Sequence, residues 1–272
     1  MLRLTRLLIL LAVSVCSSAY AASRCQTVYD PFLGYRTQCA AGVNFAKFQT
    51  FAYQSQYQSQ WCWAAAISML YAYNGFQVDQ QRIVNEAYGG IVNLPAQGWQ
   101  LAQNLNRDWV DNQGRRFRSQ LTGLYDVYQG VVGISDAQIV NQLSNGKPLI
   151  IGAGGHAMVL TEVSYYLNAY GAFDGYAYAA VFDPWPGRGA RYLTAQEFSR
   201  ADLGLGTMQF LASANVTSLE QSNDLTAVTG GSTPSFADST TTSGGDDDDD
   251  DGGGSVSLFW CLAMLVLLRI RR

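Results

Sequence analysis

One cysteine and one histidine carry the reactive chemistry that this sequence offers. His156 is the single histidine among 272 residues, and Cys62 opens a run of mostly apolar residues. A thiol next to an imidazole forms the thiolate–imidazolium pair that cysteine nucleophiles use. Because the chain has no second histidine, His156 is the base that Cys62 would use.

The residues after Cys62 predict a buried helix. Trp63, Ile67 and Leu70 recur at helical spacing, and Asn74-Gly75 supplies a C-terminal stop. Cys62 then lies in the first turn, where the helix dipole and the free N–H groups favour a thiolate. Its own backbone N–H is placed to donate to an oxyanion.

The histidine is predicted to begin a strand. His156 lies 94 residues after Cys62 and opens an apolar run over residues 156–163, with a second such run over residues 148–153. Gly154-Gly155 joins the two runs, and glycines there let a backbone or a substrate approach closely. The imidazole is therefore expected to stay accessible.

A second oxyanion donor is usually a side-chain amide, and three glutamines are candidates. Gln56, six residues before Cys62, is the first choice. Gln58 and Gln60 compete with it, and the residues alone leave that choice open.

The remaining pattern predicts helices first and strands afterwards. Residues 43–60 show no helical period and are predicted as loop or short strand. Further helices are predicted over residues 80–88, 97–106 and 135–144, the last opened by a capping box of Ser135 and Gln138, and further strands over residues 176–182 and 208–211. This order predicts an α+β fold with segregated layers.

Three segments together resemble the papain-like cysteine peptidases. Residues 56–65 (QYQSQWCWAA) are similar to the family's active-site entry, residues 155–159 (GHAMV) to its histidine strand, and residues 181–187 (VFDPWPG) to an Asp-Pro-Trp-Pro turn. That turn is typical of a bacterial branch related to bacteriocin-leader peptidases and staphopain-like enzymes. The order Gln, Cys, His, Asp is the family's order, and the resemblance covers roughly residues 54–198.

The resemblance implies a two-lobed fold, in which a helical lobe and an antiparallel β lobe enclose an active-site cleft. It implies a cysteine peptidase that acts on a peptide or protein substrate through a Cys62 thioester, with His156 as the base. Asp183 would orient the histidine, and Gln56 would donate to the oxyanion.

Some residues depart from that resemblance or allow another role. Asp183 also suits a structural role as the cap of the turn before Pro184. Asp174 is a less favoured substitute for it. Gln60-Trp61 replaces the Gly-Ser that precedes the catalytic cysteine in papain, and no propeptide helix is visible.

Two other kinds of function use the same cleft. Acyl transfer or deamidation needs the same three groups, because both also pass through a thioester. A non-catalytic binding module is the other alternative, and the presence of Cys62, His156 and Asp183 together argues against it.

The cysteines indicate one disulfide. Of five cysteines, Cys16 and Cys261 lie in the terminal segments. Cys25 and Cys39 would close a loop of about 15 residues, worth ~3 kcal/mol in the chain-entropy model. Cys62 is then an odd thiol, which is either a buried structural residue or a functional one.

The N-terminal segment and the region after the central domain indicate export and a stalk. Arg3 and Arg6 precede an apolar run and an A-x-A site, which predicts a signal peptide over residues 1–21. Residues 215–251 are rich in Ser, Thr, Gly and Asp and predict a disordered stalk. The peptidase domain is therefore expected over residues 22–214.

The C-terminal segment resembles a sorting tail. Residues 252–272 combine a glycine patch, an apolar stretch over residues 258–268 and three arginines. The apolar stretch is about half of the ~20 residues that a spanning helix needs. The segment is similar to the GlyGly-CTERM tail, which rhomboid-type intramembrane proteases of Gram-negative bacteria remove; a plain tail anchor is the alternative. Transient membrane association would precede release or display at the cell surface.

Charge and ligand patterns argue against several other classes. The formal net charge is −4 and no basic stripe is present, so no nucleic-acid partner is predicted. One histidine and no C-x-x-C pair argue against a zinc site. The glycines of residues 152–155 lack the following Lys-Ser/Thr of a phosphate loop. No metal or cofactor is predicted.

Overall fold

The computed structural model describes residues 24–220, which form six short or medium α-helices and ten strands. The α+β class is therefore confirmed. The predicted signal peptide, the sorting tail, most of the predicted stalk, Cys16 and Cys261 lie outside the described residues.

The strands form one antiparallel sheet. Their bounds are β1 Arg24–Asp30, β2 Gly34–Gly42, β3 Arg107–Val110, β4 Arg116–Asp126, β5 Val131–Val132, β6 Leu149–Ala153, β7 His156–Leu167, β8 Phe173–Asp183, β9 Gly189–Tyr192 and β10 Met208–Ser218. The main order is β1-β2-β7-β6-β10-β4-β3. Strand β8 pairs with β7 and β9, and β5 pairs with β4.

The helices lie between and after these strands. Their bounds are α1 Phe45–Lys47, α2 Cys62–Tyr73, α3 Gln80–Tyr88, α4 Gly98–Asn104, α5 Asp136–Ser144 and α6 Ala195–Phe198, with a π-helical turn at Phe48–Ala52 and a 3₁₀ turn at Ala201–Leu203. Helices α2, α3, α4 and α5 begin within two residues of their predicted starts. The predicted capping box opens α5, where Ser135 accepts a hydrogen bond from the N–H of Gln138.

The two faces of the sheet bury two different cores. Side chains alternate along a strand, so Ile150 of β6 and Val159 of β7 pack against the helical lobe that contains α2. Their neighbours Ile151 and Met158 point to the other face and pack with Leu143 of α5. Helix α2 is buried on all sides, from Trp63 to Tyr73, which fits its almost entirely apolar sequence.

Two details of the predicted secondary structure are wrong. The β1–β2 hairpin precedes the helices and β3–β4 interrupts them, so strands do not simply follow helices. Residues 43–60 were expected to lack helix, yet α1 and the π-helical turn occupy residues 45–52. The π turn bonds Tyr53 N–H to Phe48 C=O, an i to i+5 spacing that gives no 3.6-residue period. Strand β10 continues to Ser218, past the predicted domain end at residue 214.

The first hairpin carries the predicted disulfide. Cys25 and Cys39 are directly opposite each other in the β1–β2 register and are joined by a disulfide bond. Cys39 is buried, whereas most of β1 is exposed at the edge of the sheet. The disulfide therefore links an edge strand, which buries little apolar surface of its own, to β2.

Candidate active site

Cys62 occupies the first position of helix α2. The residue before it, Trp61, provides no side-chain cap, and the backbone N–H of Cys62 forms no hydrogen bond within residues 24–220. Trp61 is instead anchored by its indole N–H, which donates to Val92 C=O at 2.8 Å. Among the described residues Cys62 is the one free cysteine, and it is half-buried. The thiol therefore lies at the N-terminal end of a helix, where the N–H of Cys62 itself has no partner.

His156 is presented by a two-residue hairpin turn between β6 and β7. Ala153 pairs with His156, which leaves only Gly154 and Gly155 in the loop. Their φ angles are 59° and 78°, and a two-residue turn with both φ values positive strongly favours glycine. The glycines therefore place the histidine at the mouth of the hairpin, a more specific role than the close approach predicted from the sequence.

The hairpin also brings the backbone of β7 to the cysteine. The N–H of Ala157 points at Cys62 Sγ over 3.5 Å, so the sulfur lies beside the residue that follows His156. The thiol and the imidazole, 94 residues apart in sequence, are thus brought together by one packing contact between α2 and β7.

Asp183 lies at the end of β8, and its carboxylate is completely buried. Its Oδ1 is 2.6 Å from His156 Nε2 and also accepts the backbone N–H of Trp185 at 2.9 Å. Both roles considered from the sequence, turn cap and partner of the histidine, are therefore present in one side chain. Asp174 lies at the opposite end of β8 and pairs with Arg36 instead.

These contacts favour the charged forms of both partners. Burial lowers the pKa of His156, but hydrogen bonds to Asp183 and Cys62 and the charges of both groups outweigh it and raise the pKa of His156 to about 9. Burial also opposes ionisation of Asp183, yet His156, the Trp185 N–H and Arg191 hold the pKa of Asp183 far below its usual range. An imidazolium next to a carboxylate is the state that these contacts stabilise at neutral pH.

The glutamines before Cys62 have different surroundings. Gln56 is buried, and its Nε2 donates to the carbonyls of Gln58 and Ser59, both at 2.9 Å. Its Oε1 is buried without a partner among the described groups. Gln60 is exposed and lines the cavities on both sides of Cys62. In this structure the Gln56 amide therefore stabilises the loop that leads into α2.

A fully buried glutamine holds this loop in place. Gln80, at the start of α3, donates to Gln54 Oε1 and to Ser55 C=O at 2.9 Å each. Its Oε1 accepts the N–H of Tyr57 at 3.0 Å. A second anchor joins Gln56 N–H to Pro184 C=O at 2.8 Å, which ties the loop to the turn after Asp183.

Comparison with known proteins now identifies the family. Residues 48–202 match the Peptidase_C39 like family, and this segment contains all four of the predicted site residues. The chain belongs to this family. It is a cysteine-type peptidase, and its mixed helical and antiparallel architecture is papain-like. Comparison with the curated proteins gives no match.

A solved structure is also similar to the peptidase. It is the crystal structure of a double glycine motif protease from an AMS/PCAT transporter in complex with the leader peptide. The two chains are 16% identical with a TM-score of 0.36, and the match covers 65% of this chain and 98% of that one.

Sequence reasoning missed an arginine that supports Asp183. Arg191, on β9, donates from Nε to Asp183 Oδ2 at 2.9 Å, and its remaining nitrogens bind both oxygens of Glu197. Glu197 is fixed in turn by the capping box of α6, and its pKa is lowered to about 2, chiefly by Arg191. The sequence offered only an indirect signal for this role. A buried aspartate needs a cation, and Arg191 lies eight residues after Asp183.

The peptidase has a cavity on each side of Cys62 and His156. One, of about 260 Å³, extends from Cys62 towards α4 and Phe210. The other passes under Trp185 and Arg188. Trp185 is about half exposed, and its ring meets the imidazole of His156 edge-on, with centroids 6.1 Å apart. Together the cavities form a cleft that crosses the cysteine and the histidine.

No group of three or more potential metal ligands occurs within the part of the chain that the structure describes. None of the helices there is long and apolar enough to cross a membrane.

Proposed function

We propose that this peptidase hydrolyses peptide bonds through a thioester on Cys62, with His156 as the base and Asp183 as the residue that orients it. The observation that carries the proposal is the 2.6 Å contact of His156 Nε2 with Asp183 Oδ1. Because that contact occupies Nε2, the other ring nitrogen, Nδ1, is left for the thiol of Cys62. The thiol, the imidazole and the carboxylate then form a nucleophile, a base and an orienting group.

The proposed reaction has two halves. Cys62 transfers its proton to His156, and the thiolate attacks the substrate carbonyl to give a tetrahedral oxyanion. His156 returns the proton to the leaving amine as the C–N bond breaks, which leaves the acyl group on sulfur. Water, deprotonated by His156, then attacks the thioester and releases the acid and the free thiol.

Two donors are proposed for the oxyanion. The backbone N–H of Cys62 is one, since it begins a helix and has no partner in the described chain. The side-chain amide of Gln56 is the other, released by substrate from one of its two carbonyl partners. Gln60 is the alternative donor because it lines both cavities beside Cys62.

We also propose that the enzyme acts outside the cytoplasm. The disulfide between Cys25 and Cys39 suits an oxidising compartment, as does the signal peptide predicted over residues 1–21. The folded domain would extend from residue 22 to the end of β10 at Ser218, followed by the stalk. A rhomboid-type protease would remove the tail of residues 252–272, which would end transient membrane association at the surface of a Gram-negative cell.

The function is tested with purified full chain, Cys62→Ala and His156→Asn on a mixture of peptides, with products read by mass spectrometry. The expected result is cleavage by the unchanged protein and none by either variant. A parallel reaction with an added primary amine separates hydrolysis from acyl transfer, since transfer gives an amide product instead of the free acid. Cleavage that persists in Cys62→Ala would contradict the proposal.

A further inference from the structure

The cavity between Cys62 and α4 is lined by apolar side chains, by several neutral polar ones and by one carboxylate. Trp63, Leu101 and Phe210 line it, and Asp126, at the end of β4, lines it as well. Its volume of about 260 Å³ is below the ~300–1,000 Å³ typical of sites for drug-sized ligands. The cavity is therefore of a size for one side chain of a peptide bound at Cys62.

Asp126 differs from the other buried aspartates in having no cation. Within residues 24–220 three aspartates are almost completely buried: Asp111, Asp126 and Asp183. Asp111 forms an ion pair with Arg115, and Asp183 forms one with Arg191. No salt bridge joins Asp126 to any described residue, although it is only 1% exposed. Buried charges are normally paired, so this carboxylate lacks a partner that its surroundings call for.

The two oxygens of Asp126 have different surroundings. Oδ1 accepts the backbone N–H groups of Tyr128 and Gln129 and so closes the turn after β4. Oδ2 accepts no hydrogen bond from the described chain and faces Gly98 at the start of α4. A side chain at position 98 would overlap Oδ2 and would come within 3.1 Å of Phe210 Cδ2. Glycine at that position lets the start of α4 lie directly against Oδ2, and Asp126 still lines the cavity.

We infer that this cavity is a specificity subsite for a lysine or arginine side chain of the substrate, with Asp126 as the residue that selects it. The inference rests on the proposed peptidase function at Cys62. The apolar stem of a basic side chain suits the walls of Trp63, Leu101 and Phe210, and its charged head reaches Asp126 Oδ2. The substrate then supplies the cation that the fold does not.

The inference is tested with peptides in which arginine or its neutral isostere citrulline occupies each position around the scissile bond in turn. At one position, arginine should raise kcat/KM by about 10- to 100-fold over citrulline, the range for a charge-assisted hydrogen bond to a buried group. Asp126→Asn keeps the oxygen that closes the turn but removes the charge, and should bring this ratio close to one. Asp108→Asn is the matched control, because it removes a surface carboxylate that pairs with Arg118. The control should leave the ratio unchanged.

A ratio near one at every position of the unchanged enzyme would overturn the inference while leaving the peptidase function intact. A ratio that survives Asp126→Asn would overturn it as well.

A second measurement does not depend on cleavage. Acetyl-arginine methylamide should protect Cys62 from alkylation by iodoacetamide at about 10-fold lower concentration than acetyl-citrulline methylamide, and Asp126→Asn should abolish the difference. If no peptide is cleaved but this difference is found, the proposed function fails and the basic subsite stands. Equal protection by the two compounds would overturn the subsite.

Discussion

Replacing Arg191 by methionine should cost a large share of the protein's stability, because this side chain joins two carboxylates next to the candidate active site. Asp183 is fully buried, and Arg191 is the residue that satisfies its Oδ2. Arg191 also binds both oxygens of Glu197. Methionine keeps much of the length of the side chain but removes all of these hydrogen bonds.

The expected loss is about 3 kcal/mol in the free energy of unfolding. Removing one partner of a buried ion pair typically costs about 3–5 kcal/mol, because the other charge stays buried and unpaired. Arg191 and Glu197 are 22% and 25% exposed, which places the expected value at the lower end. Stabilities of about 5–15 kcal/mol are usual, so the variant should still fold.

Urea unfolding followed by tryptophan fluorescence measures this loss. With an m-value of about 2 kcal/mol/M, the midpoint should fall by roughly 1.5 M. Arg188→Met is the matched control, because Arg188 approaches the same Oδ2 at 3.5 Å but is 57% exposed. Exposed pairs contribute about 0–1 kcal/mol, so this control should barely change the midpoint. A loss below 1 kcal/mol for Arg191→Met, or equal losses for the two variants, would refute the reasoning.

Three further predictions concern the histidine, the disulfide and the oxyanion donor. In the folded protein the pKa of His156 is raised to about 9, so its contribution to stability is full below the ordinary histidine value of about 6.5 and is lost as pH rises to 9. Asp183→Asn removes a charge that raises this pKa and should flatten the fall of the urea midpoint between pH 6.5 and 9, and an unchanged pH dependence would contradict this. Replacing Cys25 and Cys39 by serine should lower the free energy of unfolding by about 2–3 kcal/mol. Hydrogen exchange in β1 should become faster, while the alkylation rate of Cys62 stays the same. Unchanged exchange in β1 would be evidence that this strand does not depend on the disulfide. Gln56→Leu should lower kcat by about 10²–10³-fold if its amide is the oxyanion donor. If instead Gln60→Leu lowers kcat and Gln56→Leu does not, Gln60 is the donor.

The helix and the hairpin that position the site were predictable because their signals are local. Apolar spacing and Asn74-Gly75 define α2, and Cys62 falls at its start as expected. Two glycines between apolar runs mark the β6–β7 hairpin, and His156 follows them. In each case a few adjacent residues determine the backbone, so the sequence is sufficient.

The supporting contacts were not predictable because no local residue pattern specifies them. Arg191 reaches Asp183 only because β9 pairs with β8, a pairing that no residue pattern near Arg191 specifies. The glutamines before Cys62 look equivalent in sequence, and their surroundings differ because Gln80 on α3 fixes the loop on both sides of Gln56, through Gln54 and Tyr57. Asp126 enters the cleft through the pairing of β4 with β10. Strand pairing decides the first and third of these contacts, and packing of α3 on the loop decides the second.

Reaction of the full chain with a cysteine-directed epoxide across pH 4–9, read by mass spectrometry, tests the central claim most directly. The account predicts rapid labelling of Cys62 at pH 5–7, where an ordinary thiol with a pKa of about 8.5 is almost entirely protonated and unreactive. His156→Asn should slow this labelling at least tenfold, and Cys62→Ala should abolish it. Labelling of the folded protein no faster than that of a free cysteine peptide would contradict the claim that Cys62 and His156 form an activated pair.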